Sequence, residues 1–381
     1  MQYYYELAEK FLKKMLSFPT VNGDERPLAE YIASTLEKYG FQTQLQDVAD
    51  NRANVVARYG RSDNQVIFTG HLDVVPPGEG WETADPFQLT ARDGRLYGRG
   101  ACDMKGGVAA MLASAVRAAE KDEIQGCELR LVFVADEEVD GLGTRYYVEH
   151  QEPAKKSLVI IGEPTMLEAC IAHRGVTRFR VTIHGRQCHS GLPQDGINAI
   201  NQMARFLLEV ERFDRERQSM DCGILPPPNM TATMLGSGVK ENAVPGTSKV
   251  VLDCRTVPGE TVQTLQSSIL DILHRLFDGT PVTYEVQSFI EVTPSSTNED
   301  GLACTTIKNA FREAFGEEAV VTYFKGCCDM SYFCKAGYSE TLLCGPGSMD
   351  QAHIVNEFIE IEQLHRAVDL YSAVIRQAQK G

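Results

Sequence analysis

The chain has 381 residues, ordinary apolar and charged fractions (43% and 23%) and a formal net charge of −15. That length exceeds what one small core holds, so two domains are expected. No apolar run reaches the roughly eighteen residues of a membrane-spanning helix, and acidity spread along the chain argues against nucleic acid and anionic membrane surfaces as partners.

At the N-terminus, Leu7, Phe11, Leu12 and Met15 fall on one face of an amphipathic helix. The segment lacks a basic start, a short apolar block and a small-residue cleavage site, and the expectation is a cytoplasmic protein. "NVVARYG", "QVIFTGHLDVV", "ELRLVFVAD" and "SLVIIGEPT" read as strands and "GGVAAMLASAVRAAEK" as a helix. Such near-continuous apolar strands predict a sheet covered on both faces by helices. From about Val176 the texture changes. "VTRFRVTIHG" alternates, with Phe179, Val181 and Ile183 on one side and Arg178, Arg180 and Thr182 on the other. A helix with Ile200, Met203, Leu207 and Val210 along one face follows, then "MTATML", "KVVLDCRTV", a helix around "TLQSSILDILHRLF" and "VTYEVQSFI". The order βαββαβ predicts a two-layer, ferredoxin-like domain over 175–290, inserted into a catalytic domain formed by 1–174 and 291–381. Eleven cysteines without a CxxC pair suit buried apolar positions in a reducing compartment.

The stretch "VFVADEEVDG" ends an apolar strand in Asp136, Glu137 and Glu138. Crowded carboxylates repel one another and are costly to shelter. They have company in "TGHLDVV" (His71, Asp73), "GRGACDMKGG" (Asp103), "IIGEPT" (Glu163) and "GPGSMDQAH" (His353), each at a strand end or in a loop. In open α/β sheets such loops converge on the site. His71, Asp103, Glu138, Glu163 and His353 form a set of two imidazoles and three carboxylates. That set suits two metals sharing one bridging carboxylate, zinc first, with cobalt or manganese as substitutes. Dications would keep the carboxylates ionised. Neighbouring side chains on an extended backbone point different ways, so one of Glu137 and Glu138 can bind metal while the other faces substrate as a base. Asp73 can orient His71 as an acceptor.

Taken singly, these residues have ordinary explanations: Asp103 as an N-cap, the Glu pair as a solvated turn, His189 in "CHSGLP" as a surface histidine. Their joint occurrence in order overrides that. Serine-hydrolase, HExxH, P-loop and dinucleotide signatures are absent from the sequence.

"GHLDVVP", "GRGACDMKGG", "ADEEVDGLGT", "IIGEPT", "HSGLP" and "GPGSMDQAH" together resemble the successive motifs of the M20 metallopeptidases, in the acetylornithine deacetylase and succinyl-diaminopimelate desuccinylase branch. The resemblance spans essentially the whole chain. It implies a zinc-exopeptidase-like catalytic domain of mixed sheet and helices, with the inserted domain acting as lid and dimerisation module. His71, Asp103 and Glu163 would hold one zinc and Asp103, Glu138 and His353 the other. Glu137 would be the general base and Asp73 the partner of His71. His189 would reach the neighbouring subunit's site, and Asn242 ("ENAVPG") and Arg255 ("DCRTVPG") would contact substrate. The implied reaction is hydrolysis of an N-acyl amino acid, foremost N-acetylornithine to ornithine and acetate. The alternatives are succinyl-diaminopimelate desuccinylation, small-peptide exopeptidase action, or a non-catalytic metal-binding relative. The chain departs from the family pattern at "FKGCCDMSY", where Cys328-Asp329 replaces the usual Thr-Asp type pair.

Overall fold

The computed structural model describes residues 1–379 except Asn22 and Ala84. Two compact units emerge, one comprising Met1–Ile171, Thr297–Phe324 and Cys328–Gly381, the other Ala172–Ser296 with Lys325–Cys327.

The first unit is built on a mixed sheet ordered Gln42–Ala49, Arg52–Tyr59, Glu128–Val134, Asn64–His71, Lys156–Pro164, Glu340–Gly345 and Ala169–His173, with Val321–Phe324 paired to the last. The strands Glu128–Val134, Asn64–His71, Lys156–Pro164 and Glu340–Gly345 run parallel. Their side chains divide cleanly between two cores. Phe68, Leu131, Phe133, Leu158, Ile160 and Leu342 join helices Gln2–Leu16, Arg26–Glu37, Lys105–Glu120, Leu302–Phe315 and Ile361–Ala378. Ile67, Val132, Val134, Val159, Ile161 and Leu343 join Tyr147 of helix Leu142–His150 and Met330 and Phe333 of helix Met330–Lys335. Both faces are buried, which is why these strands read as unbroken apolar runs rather than alternating ones. The α/β architecture of helix-covered mixed sheet is the expected one.

Helix Lys105–Glu120 approaches the sheet closely through glycine. A Cβ at Gly107 would stand 2.3 Å from the carbonyl oxygen of Gly162, so any side chain must push helix and strand apart. Gly107→Ala is expected to cost about 1–3 kcal/mol, read as a lower thermal midpoint with an unchanged circular dichroism spectrum.

The second unit is an antiparallel sheet ordered Asn229–Ser237, Thr247–Thr256, Gly175–His184 and Thr283–Val292, with helices Ala199–Arg217 and Val262–Phe277 supplying βαββαβ connectivity. Phe179, Val181, Ile183, Val250 and Leu252 meet Met203, Phe206, Leu265, Ile269 and Leu273 in its core. Asn198 caps the first helix, accepting from the N–H of Ile200 and Asn201, and Thr261 and Thr264 form a capping box on the second. The first helix is turned relative to the sequence expectation. Its buried line is Ala199, Met203, Phe206 and Val210, while Ile200 is 47% exposed. The helix starts at Ala199, and its buried stripe follows the 3.6-residue period from there. Chain entry and exit lie side by side, because Ser295 pairs with His173 and Ser296 with Ala172. No described helix is long and apolar enough to cross a membrane, and all eleven cysteines are free.

Candidate metal centre and active site

The parallel strands deliver the chemistry at their carboxyl ends, as sheets of this kind do. His71 is the last residue of its strand, and Glu163 is the penultimate residue of Lys156–Pro164. Glu137 and Glu138 follow Val134 by a few residues, and His353 lies beyond Gly345 in a loop, with φ of 63°.

Asp103 sits between two imidazoles. Its Oδ1 is 3.0 Å from His71 Nε2, and its Oδ2 is 3.4 Å from His353 Nε2. His71 Nε2 also lies 3.9 Å from Glu163 Oε1, while His353 Nε2 lies 2.9 Å from Glu138 Oε2. One carboxylate oxygen of Asp103 therefore faces His71 and the other faces His353. Asp103 is no helix cap, since helix Lys105–Glu120 has Met104 as its N-cap and no side-chain capping bond. Histidine, aspartate and glutamate of the sequence-derived ligand set come together here, with Asp103 at the centre.

The electrostatics carry the mark of a cation site. Burial opposes charge on His71, but the hydrogen bond to Asp103 and the charges of Glu163, Asp103 and Asp73 hold it well above its ordinary range. Hydrogen bonds to Asp103 and Glu138 raise His353 to about 10. Burial alone would raise Asp103, yet contacts with His353 and His71 hold it below the usual carboxylate range. Glu163 is pushed well up by burial and by the charge of Asp103, and His71 opposes this only in part. Glu137 is also pushed well up, by burial first, against the pull of His71 and with the push of Glu163, Asp329 and Glu138. Two groups of ligand-capable atoms lie within 4.8 Å of one another: His71, Asp103 and Glu138, and His71, Glu137 and Glu163. Neither includes a thiol. Imidazole nitrogens with an excess of sheltered carboxylates are what a pair of borderline-hard dications would neutralise, so these residues fit two metal ions.

Asp73 is engaged differently from the expectation. His71 Nδ1 is 2.9 Å from the main-chain carbonyl of Asp73, and the Asp73 carboxylate is 3.6 Å away. A carbonyl only accepts, so Nδ1 carries a proton and Nε2 faces the ligand cluster. The carboxylate of Asp73 instead accepts the N–H of Glu137 at 3.1 Å and of Glu138 at 3.0 Å. One buried aspartate thus fixes both glutamates and, through its own backbone, the first histidine.

The third member of the acidic run turns away. Asp136, at φ 69°, pairs with Arg52, whose Nε and Nη2 donate to Glu25 at 2.9 and 2.5 Å. The Glu25 and Asp136 side chains are 0% and 2% exposed. Arg52→Met strands both carboxylates, and breaking a buried pair in this way costs about 3–5 kcal/mol. Denaturant unfolding of the variant should show a loss of that order.

Sequence reasoning missed one group and left the contacts of another open. Glu357 accepts from Gly100 N at 2.9 Å, Cys102 N at 2.8 Å, Asp103 N at 3.0 Å and Arg99 Nη1 at 2.6 Å, anchoring the loop that presents Asp103. Burial pushes its carboxyl up to about 7, against the pull of those donors. Asp329 accepts from Thr144 Oγ1 at 2.6 Å. No motif flags Glu357, whose partners are backbone groups and the distant Arg99, whereas "FKGCCDMSY" singles out Asp329 without revealing its partner Thr144.

The remaining predicted residues belong to the second unit. His189 pairs with Ala243, and Asn242 accepts from Ser190 N at 3.0 Å. The His189 Nδ1 accepts from Gly191 N at 3.0 Å. A backbone N–H only donates, so the neutral ring carries its proton on Nε2. Arg255 Nε donates to Asp253 at 3.0 Å.

The family model for peptidase family M20/M25/M40 matches residues 67–377. The chain belongs to peptidase family M20/M25/M40. This M20 chain is 30% identical over 356 residues to acetylornithine deacetylase of Proteus mirabilis, covering 91% of the chain and 89% of the relative. It is 29% identical over 374 residues to succinyl-diaminopimelate desuccinylase of Wolinella succinogenes, covering 94% and 97%. Its fold matches the YXEP protein of Bacillus subtilis, described as a dinuclear metal binding peptidase from the M20 family, with a TM-score of 0.73 at 17% identity over 99% and 98% of the two chains. This M20 chain is accordingly a metal-dependent hydrolase of amide bonds.

Proposed function

We propose that this M20 hydrolase removes the acyl group from an N-acyl amino acid, with N-acetylornithine as the leading substrate, a step of arginine biosynthesis. The observation that carries the reading is Asp103 held between His71 and His353, with Glu137 beside them. His71, Asp103 and Glu163 would hold one zinc, and Asp103, Glu138 and His353 the other. Zinc, when bound, supplies Lewis-acid polarisation of the amide carbonyl and lowers the pKa of water. Glu137 takes the proton of the attacking water and returns it to the departing amine. Its position beside His71 and Glu163 suits both acts. His189 offers its Nε2–H to the carbonyl oxygen as charge develops there. Asn242 contacts the substrate, and the Arg255 fork holds its carboxylate.

The inserted unit serves as lid and dimerisation module. Its edge strand Asn229–Ser237 leaves Met234 68% and Leu235 61% exposed, a strand edge open to pairing with a second copy. Eleven free thiols suit a reducing cytoplasm. Desuccinylation is the second reading, favoured by the likeness to the Wolinella succinogenes relative.

The deciding experiment is amine release by zinc-loaded protein from N-acetylornithine, other N-acetyl amino acids, N-succinyl-diaminopimelate and dipeptides. Selective turnover of N-acetylornithine, abolished by chelation, is the expected result. Selective turnover of the succinyl compound would replace the leading reading with the second, and silence on every compound despite bound metal would refute both.

A further inference from the structure

The second unit carries surplus positive charge on the open face of its sheet. Asp253 stands between two arginines, its Oδ2 accepting from Arg178 Nε at 2.8 Å and its Oδ1 from Arg255 Nε at 3.0 Å. Asp253 and Arg178 face each other across the pairing of Thr247–Thr256 with Gly175–His184, and Arg255 follows on the same side of its strand. Phe179, Leu252 and Cys254, which alternate with these residues, are fully buried on the helix-covered side. One carboxylate cannot neutralise two guanidinium groups. No described residue accepts from the terminal nitrogens of either arginine. Arg174, whose Nη1 donates to the Pro227 carbonyl, adds a third cation just before the strand Gly175–His184 that carries Arg178.

In a chain of net charge −15, neutralising carboxylates are plentiful. Like charges held close on a sheet face repel, and an anion from outside would relieve that repulsion. Both arginines are tied through Nε, which fixes each guanidinium plane and leaves its two-nitrogen end free. That is the edge that grips a carboxylate in bidentate fashion.

We propose that Arg178 and Arg255, aimed by Asp253, form a two-guanidinium receptor for one substrate carboxylate. Arg178 is thus a second substrate-binding residue and Asp253 a positioning residue. The inference rests on the reading of Arg255 as the carboxylate clamp and extends it to a residue outside that reading. The chemical class it selects is an N-acyl amino acid with a free α-carboxylate, in preference to the same compound capped as a carboxamide.

The test is the ratio of affinities for N-acetyl amino acids and for their α-carboxamides. It is measured by calorimetry on full-length, zinc-loaded protein in which Glu137→Ala prevents turnover. Losing a charge-assisted contact should lower the acid-to-amide ratio about 10- to 100-fold in Arg178→Gln. Arg178→Lys should restore part of it, and Asp253→Asn should lower it less. A merely structural role would weaken acid and amide alike and leave the ratio in place. An unchanged ratio in Arg178→Gln overturns the proposal, as does a starting protein that shows no preference for the acid. Selective loss of N-succinyl over N-acetyl ligands in Arg178→Gln overturns it too, by placing Arg178 at the acyl end. Amine release by the unsubstituted protein remains a separate readout, so failure of the receptor and failure of the hydrolase reading are distinguishable.

Discussion

Glu137→Ala should retain its full metal content and lose about 10²- to 10⁴-fold in kcat, the range expected for removal of a group that takes and delivers a proton. Its main chain is tied to the Asp73 carboxylate, and its side chain lies in the buried pocket with His71 and Glu163. That proximity makes the metal assay decisive. A ligand and a base in the same place differ in what their removal does to the ions. Loss of metal alongside activity would reassign Glu137 to the ligand set. Near-normal kcat with metal intact would end its role as base. Glu137→Asp, which withdraws the carboxyl by one methylene, should fall between the two.

Asp103→Ala should release both metals, and with them all measurable turnover. No other residue of the set has one oxygen facing His71 and the other facing His353. His353→Ala or Glu138→Ala should by comparison empty one position and leave the other. Metal analysis after dialysis reads the difference directly. Two equivalents retained by Asp103→Ala would disprove the bridge. Asp103→Asn keeps the shape without the charge, so metal loss in that variant assigns the effect to electrostatics rather than packing.

Much of the site was legible because several of its residues follow apolar strands, and the parallel strands share one carboxyl edge. His71, Glu163 and the Glu137–Glu138 pair are all presented that way. The strand Gln42–Ala49 was not legible, since it lies at the sheet edge and buries Gln46 where an apolar residue would be expected. The Arg52–Glu25–Asp136 network and the Glu357 anchor escaped for another reason. They act through pairings such as Arg99 with Glu357, 258 positions apart, or through hydrogen bonds to main chain, which leave no local pattern. Asp73 shows the limit most clearly. The sequence placed it beside His71, but only the fold reveals that its carboxylate serves Glu137 and Glu138.

The paired segments Ala172–His173 and Ser295–Ser296 have an evolutionary consequence. Where a chain leaves and returns through neighbouring antiparallel strands, the intervening module can be gained, lost or exchanged as a cassette, with a short turn closing the gap. All the candidate metal ligands lie outside that cassette. The insert can therefore be recombined as a module while the candidate metal ligands are inherited untouched.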